Sequence, residues 1–135
     1  MAKMEWTDEL SVKIGIFDDE HKKLINLANK LYDAMSKGQG HEALEDILVE
    51  LSDYVKIHFG HEEDAMVKYS YPGFPEQKEA HQEFIKKLND IQTQYESGSF
   101  ALSIPTLNFL ISWIQDHIKK LDKSYSEFFI KQGMK

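Results

Sequence analysis

Six polar residues stand where helical spacing would bury apolar ones: His21, His58, Glu62, Gln77, His81 and His117. A buried ionisable group is costly unless it is paired or holds a metal. Six such interruptions call for one common explanation. Imidazoles with carboxylates and no thiolates suit iron, manganese or zinc, and iron is the first choice. The chain has no cysteine at all, which excludes disulfides, thiolate nucleophiles, iron–sulfur clusters and Cys-type zinc sites.

The elements that must position these residues are helices. The sequence is punctuated at Lys37-Gly38-Gln39-Gly40, at Tyr69-Ser70-Tyr71-Pro72-Gly73-Phe74-Pro75 and at Glu96-Ser97-Gly98-Ser99, and three breaks make four segments. In each, the inward positions advance by alternating steps of three and four. The first reads His21, Leu24, Ala28, Leu31, Met35, and the second Leu44, Leu48, Leu51, Val55, His58, Glu62, Ala65. The third reads Gln77, His81, Phe84, Leu88, Ile91, Tyr95, and the fourth Leu107, Leu110, Ile114, His117, Leu121, with Phe128 further on. Strict alternation is absent, so strands are not expected. Asp18 or Asp19 can cap the first helix, Pro75 suits the first turn of the third, and Ser103 with Pro105 suits the start of the fourth. Four helices of about 20 to 28 residues joined by short turns predict an all-α, up-down-up-down antiparallel four-helix bundle. Residues 1–17 are read as an N-terminal arm packing on it, and residues 18–132 as the bundle, a single domain.

In an antiparallel hairpin, residues equidistant from the turn lie at the same height. His21 and His58 are equidistant from position 39.5, Glu62 and His81 from 71.5, and His81 and His117 from 99, each centre falling in a turn. All four helices therefore bring their inward polar residues to one layer at one end of the bundle. His58 and Glu62, four apart, share a helix face and can reach one metal centre. A set of this kind inside a four-helix bundle suits a dinuclear centre. Asp122 follows His117 by five residues, a rotation of roughly 140° on an ideal helix. It reaches the layer only through a bulge, a widened turn or a favourable rotamer.

The ordered strings Ile16-Phe17-Asp18-Asp19-Glu20-His21-Lys22-Lys23-Leu24, His58-Phe59-Gly60-His61-Glu62-Glu63, Tyr71-Pro72 with His81-Gln82-Glu83-Phe84, and Trp113-Ile114-Gln115-Asp116-His117 running on to Asp122 and Tyr125 carry a family resemblance. With Trp6 and its arm they cover almost the whole chain, which resembles the bacterial hemerythrins. The resemblance implies reversible dioxygen binding at two iron ions, a non-haem di-iron centre with an oxo or hydroxo bridge. It also implies that His21 and His58 ligate one iron and His81 and His117 the other, with Glu62 and Asp122 bridging. One position departs from the pattern: the family has His-x-x-x-His on the third helix, and here the first member is Gln77. An amide oxygen is a weaker, neutral ligand, so the second iron is expected to be held less firmly, with a second open coordination position.

Leu24, Phe59, Trp113 and Ile118 neighbour these residues and are expected to line an apolar cavity at the metals, slowing proton access to bound oxygen. His41 and His61 are read as bystanders. Tyr32, Tyr54, Tyr69, Tyr95 and Tyr125 are read as ordinary amphipathic positions, and the acidic run Glu42, Glu45, Asp46, Glu50 as a solvated face.

A net charge of −7 with all sixteen basic residues lysine argues against a nucleic-acid partner. No apolar run approaches the ~18 residues of a membrane span and the N-terminus lacks a signal-peptide core, so no membrane insertion is expected and the cytoplasm is the expected compartment. The expectation is thus an oxygen-binding protein for transport, storage or delivery, with no catalytic residue and with an oxygen-consuming client or reductase unidentified. The alternative is a di-iron enzyme acting on oxygen, peroxide or nitric oxide, which the open position at Gln77 favours.

Overall fold

The computed structural model describes residues 4–98 and 102–134. Four helical rods run up, down, up and down: α1 (Gly15–Ser36), α2 (Gly40–Lys68), α3 (Phe74–Glu96), and a last rod made of α4 (Ser103–His117), a π-helical turn (Ile118–Asp122) and α5 (Lys123–Lys131). α1 packs against α2 and α4, and α2 against α3. No strand occurs among the described residues, and no helix among them is long and apolar enough to cross a membrane. The third reflection centre, Ser99, and the first three residues of the arm lie outside the described residues.

The first three predicted stripes bury as spacing requires, except at their ends, where Met35 and Tyr95 are half-buried. In α2 every inward residue from Leu44 to Ala65 is buried, while Glu42, Glu45, Asp46 and Glu50 face out. The α1–α2 turn closes through Gly38 at φ 72°, a left-handed conformation that costs glycine little. There Gln39 N donates to Ala34 O at 2.8 Å, satisfying a carbonyl at the helix end.

The first helix starts earlier than its acidic residues suggest. Ile14, not Asp18 or Asp19, is its N-cap residue. Asp18 sits in the first turn, and its carboxylate accepts from Val12 N at 2.8 Å and Ser11 Oγ at 2.6 Å, fastening the arm to the helix instead of capping it. The arm follows the bundle with Met4, Leu10, Val12 and Ile14 buried. Met4 and Asn29 exchange two hydrogen bonds at 2.9 and 2.7 Å, and Ser126 Oγ donates to Val12 O.

The fourth stripe changes phase within its length. Leu121 and Phe128, read as inward, are only half-buried, whereas Asp122, Tyr125 and Phe129 are fully buried. The cause is the π turn: its one extra residue rotates everything after it by about 100° relative to a continuous α-helix. This turn is the widening that Asp122 needed.

Candidate metal centre

Two groups of buried donors meet at one end of the bundle. His21, His58 and Glu62 form one and His81, His117 and Asp122 the other, the ligand atoms of each lying within 4.8 Å of one another. Each of the four rods contributes an imidazole, at the common height set by the turns. The two carboxylates stand between the groups. Glu62 Oε1 is 3.2 Å from His58 Nε2 and 3.3 Å from His81 Nε2. Asp122 Oδ2 is 3.1 Å from His21 Nε2, and its Oδ1 is 3.0 Å from His117 Nε2.

The donor set fits a metal. Despite these approaches, His21 Nε2, His81 Nε2, His117 Nε2, Glu62 Oε1 and Asp122 Oδ2 are buried and make no hydrogen bond. Buried polar atoms are normally satisfied, and leaving one orphaned costs about 1–3 kcal/mol. Five on facing helices, all nitrogen or oxygen, match the preference of iron, manganese or zinc.

Electrostatics follow from this crowding. Burial drives the His21 pKa down, but the close carboxylates of Asp122 and Glu62 outweigh it and raise it to about 10. His81 also rises, Glu62 and then Glu63 overcoming its burial. Glu62 is held well below the carboxylate range, since His58, His21 and His81 together exceed its desolvation. Burial and the charge of Glu62 push Asp122 up, yet His117 and His21 prevail and bring it to about 2.

A surrounding layer orients these groups, and here sequence reasoning fell short. Glu20, buried, accepts from His58 Nδ1 at 3.0 Å and from His61 Nδ1 at 2.6 Å. Glu63 accepts from His81 Nδ1 at 2.9 Å. An ionised carboxylate only accepts, so each fixes the tautomer that carries hydrogen on Nδ1 and presents Nε2 to the centre. Burial opposes ionisation of Glu20, but its bonds to the two histidines win and lower its pKa. His61, 46% exposed, is therefore no bystander: Glu20 links it to His58. Tyr125 is not an ordinary amphipathic position either. It is fully buried and its hydroxyl donates to Glu62 Oε2. Burial and the charges of Glu62 and Asp122 raise its pKa well above normal, so it keeps its proton and remains a donor. The available signal was adjacency: Glu20 and Glu63 flank His21 and Glu62 in sequence, and Tyr125 lies one turn beyond Asp122.

Gln77 reaches the same cluster. Its Nε2 donates to Asp122 Oδ1 at 3.0 Å, and its Oε1 is buried and unpartnered. Among the residues expected to line a cavity, Leu24 and Ile118 are buried, and Phe59 stacks on His81 with ring centres 3.8 Å apart. Trp113 stacks on His117 at 4.1 Å and, half-buried, lines an open groove of about 750 Å³ between α3 and α4 with Phe109, Ala80 and Leu121. His41 lies away from the centre, stacked on Tyr95.

Residues 12–128 match the family described as the hemerythrin HHE cation binding domain. The bacteriohemerythrin of Methylococcus capsulatus is 35% identical over 126 residues, covering 93% of this chain and 95% of its own length. That of Clostridium acetobutylicum is 32% identical, covering 89% and 96%. A crystal structure of wild-type hemerythrin superposes with a TM-score of 0.85 at 33% identity, covering 93% of this chain and 97% of the other.

Proposed function

The chain belongs to the hemerythrin family, and from that premise we propose that it binds dioxygen reversibly at a pair of iron ions, serving oxygen transport, storage or delivery. The observation that supports this most is the convergence of five buried, unpaired nitrogen and oxygen donors from facing helices. His21 and His58 would hold one iron, His81 and His117 the other, and Glu62 and Asp122 would be shared. A bound iron pair would supply the reducing equivalents that reversible oxygen binding needs.

The chain's own residues do the rest. Glu20 and Glu63 hold the imidazoles of His58 and His81 in the tautomer that leaves Nε2 free. The Tyr125 hydroxyl keeps one oxygen of Glu62 occupied and so turns the other toward His58 and His81. Phe59, stacked on His81, and the buried Leu24 and Ile118, which follow His21 by three residues and His117 by one, would supply apolar surface that excludes water, and with it the protons that would make oxygen uptake irreversible.

The test is iron analysis of the purified chain with an optical spectrum of its reduced form before and after oxygen. Two irons per chain, and an oxygen-dependent band that vanishes on degassing and returns, are expected. Rapid oxidation without a reversible band contradicts the reading. Gln77 favours a second one, a di-iron enzyme acting on oxygen, peroxide or nitric oxide, because its amide nitrogen is committed to Asp122 where the family pattern has an imidazole. Steady consumption of peroxide would select that alternative.

A further inference from the structure

The two halves of the centre are equal in composition: His21, His58 and Glu62 against His81, His117 and Asp122, two imidazoles and one carboxylate each. Gln77 is what makes them equal. It lies on α3 four residues before His81, on the same helix face, and is 1% exposed. A side chain placed there is committed to the centre, since no solvent is available to it. Its Nε2 donates to Asp122 Oδ1 at 3.0 Å, the oxygen that also faces His117 Nε2 at 3.0 Å. An amide nitrogen offers no lone pair to a metal. The amide is planar, so holding Nε2 on Asp122 turns Oε1 the other way, and that oxygen is buried without a hydrogen bond. Gln77 therefore steadies a shared carboxylate and gives up the place of a ligand, while Oε1 remains an acceptor for any bound molecule that carries a proton.

With Glu62 and Asp122 shared, each metal would have two imidazoles and two carboxylate oxygens from the protein, four donors where six-coordinate iron takes more, and so a position open to a small molecule on each half. We propose that Gln77 makes this centre take two small exogenous ligands, one at each metal, where a histidine at the same position would restrict it to one. The inference rests on the di-iron reading given above. The ligand class is a small, uncharged molecule of two atoms, because the surroundings are apolar and the carboxylates already supply negative charge.

The test counts ligands. The chain is loaded with iron, its iron content measured, and the reduced form titrated without oxygen using nitric oxide as the probe, with the end point read by absorbance and by electron paramagnetic resonance. Two nitric oxide molecules per pair of irons are expected for the native chain and one for Gln77→His. Gln77→Leu, which removes the hydrogen bond but adds no ligand, is expected to keep two, and it separates ligand count from any loss of folding in the histidine variant. A count of one in the native chain, or two in both the native chain and Gln77→His, overturns the inference. Two irons with one nitric oxide leave the di-iron reading standing, whereas a chain that takes up no iron overturns both.

Discussion

Glu20 is one buried carboxylate doing two jobs, since it accepts from His58 at 3.0 Å and from His61 at 2.6 Å. Replacing it with glutamine keeps its shape but removes the charge that fixes the His58 tautomer. Glu20→Gln is expected to weaken metal binding by about 10–100-fold, as is typical for partners of ligating histidines, measured by competition with a chelator of known affinity. Tyr125→Phe removes the only hydroxyl donor seen on Glu62 among the described residues and leaves a buried oxygen without it. The expected cost is about 1–3 kcal/mol in urea unfolding of the metal-free chain. Proton linkage acts at the same scale. The His21 pKa is raised above its ordinary 6.5 to about 10, so its stabilising contribution to the metal-free fold is full below 6.5 and is lost as pH rises through about 10. Asp122 is lowered from 3.8 to about 2, so its contribution is present above 3.8 and is lost as pH falls through about 2. A His21 protonated at neutral pH must give up that proton to bind a metal. Metal uptake is therefore expected to release protons and to weaken as pH falls, which calorimetry in buffers of different ionisation heat checks directly.

Among the elements, the π turn decides whether Asp122 and Tyr125 join the site that His117 already enters. Helical spacing made the first three rods legible: the stripe from Leu44 to Ala65 and the placement of His21, His58, Glu62, Gln77 and His81 all follow from steps of three and four. It misplaced Leu121 and Phe128 because one extra residue in Ile118–Asp122 shifts the phase, and Asp122, Tyr125 and Phe129 turn inward in their stead. Spacing alone also hid Glu20 and Glu63, whose roles depend on which imidazole of another helix lies beside them, a tertiary fact without a local pattern. The start of α1 was missed for a similar reason, since Asp18 is engaged by the arm. The π turn yields a contrast in deletions. Removing exposed Lys120 from it restores an ordinary helix with His117 and Asp122 four apart, so metal content and the thermal midpoint are expected to survive. Removing exposed Ser124 instead rotates Tyr125 and Phe129 out of the core, and both quantities are expected to fall. Metal analysis with circular dichroism melts distinguishes the two.

At the scale of the whole molecule, the centre ties the four rods together at one end, where the core is polar and not apolar. Elsewhere Leu31, Leu48, Leu51, Leu107 and Leu110 close the bundle by burial alone, each worth about 1.5–3 kcal/mol. At the site the charge pairing of His21 with Asp122 and Glu62 supports the fold while the buried atoms left without a hydrogen bond oppose it, and a bound metal would satisfy them. A metal that binds the folded chain and not the unfolded one adds, at a hundred times its Kd, about 2.7 kcal/mol for each site filled. Chelation of two metals is expected to lower the thermal midpoint by about 20 °C, read by differential scanning calorimetry. The arm, fastened by Asp18 and Asn29, closes the bundle beside α5, where Ser126 meets Val12.

Anomalous diffraction at the iron edge, from crystals of the iron-loaded chain, locates the metals themselves. Two peaks are expected, one between His21 and His58 and one between His81 and His117, with Glu62 and Asp122 reaching both. A single peak, or iron bound away from these residues, is incompatible with two metals sharing two carboxylates between four helices.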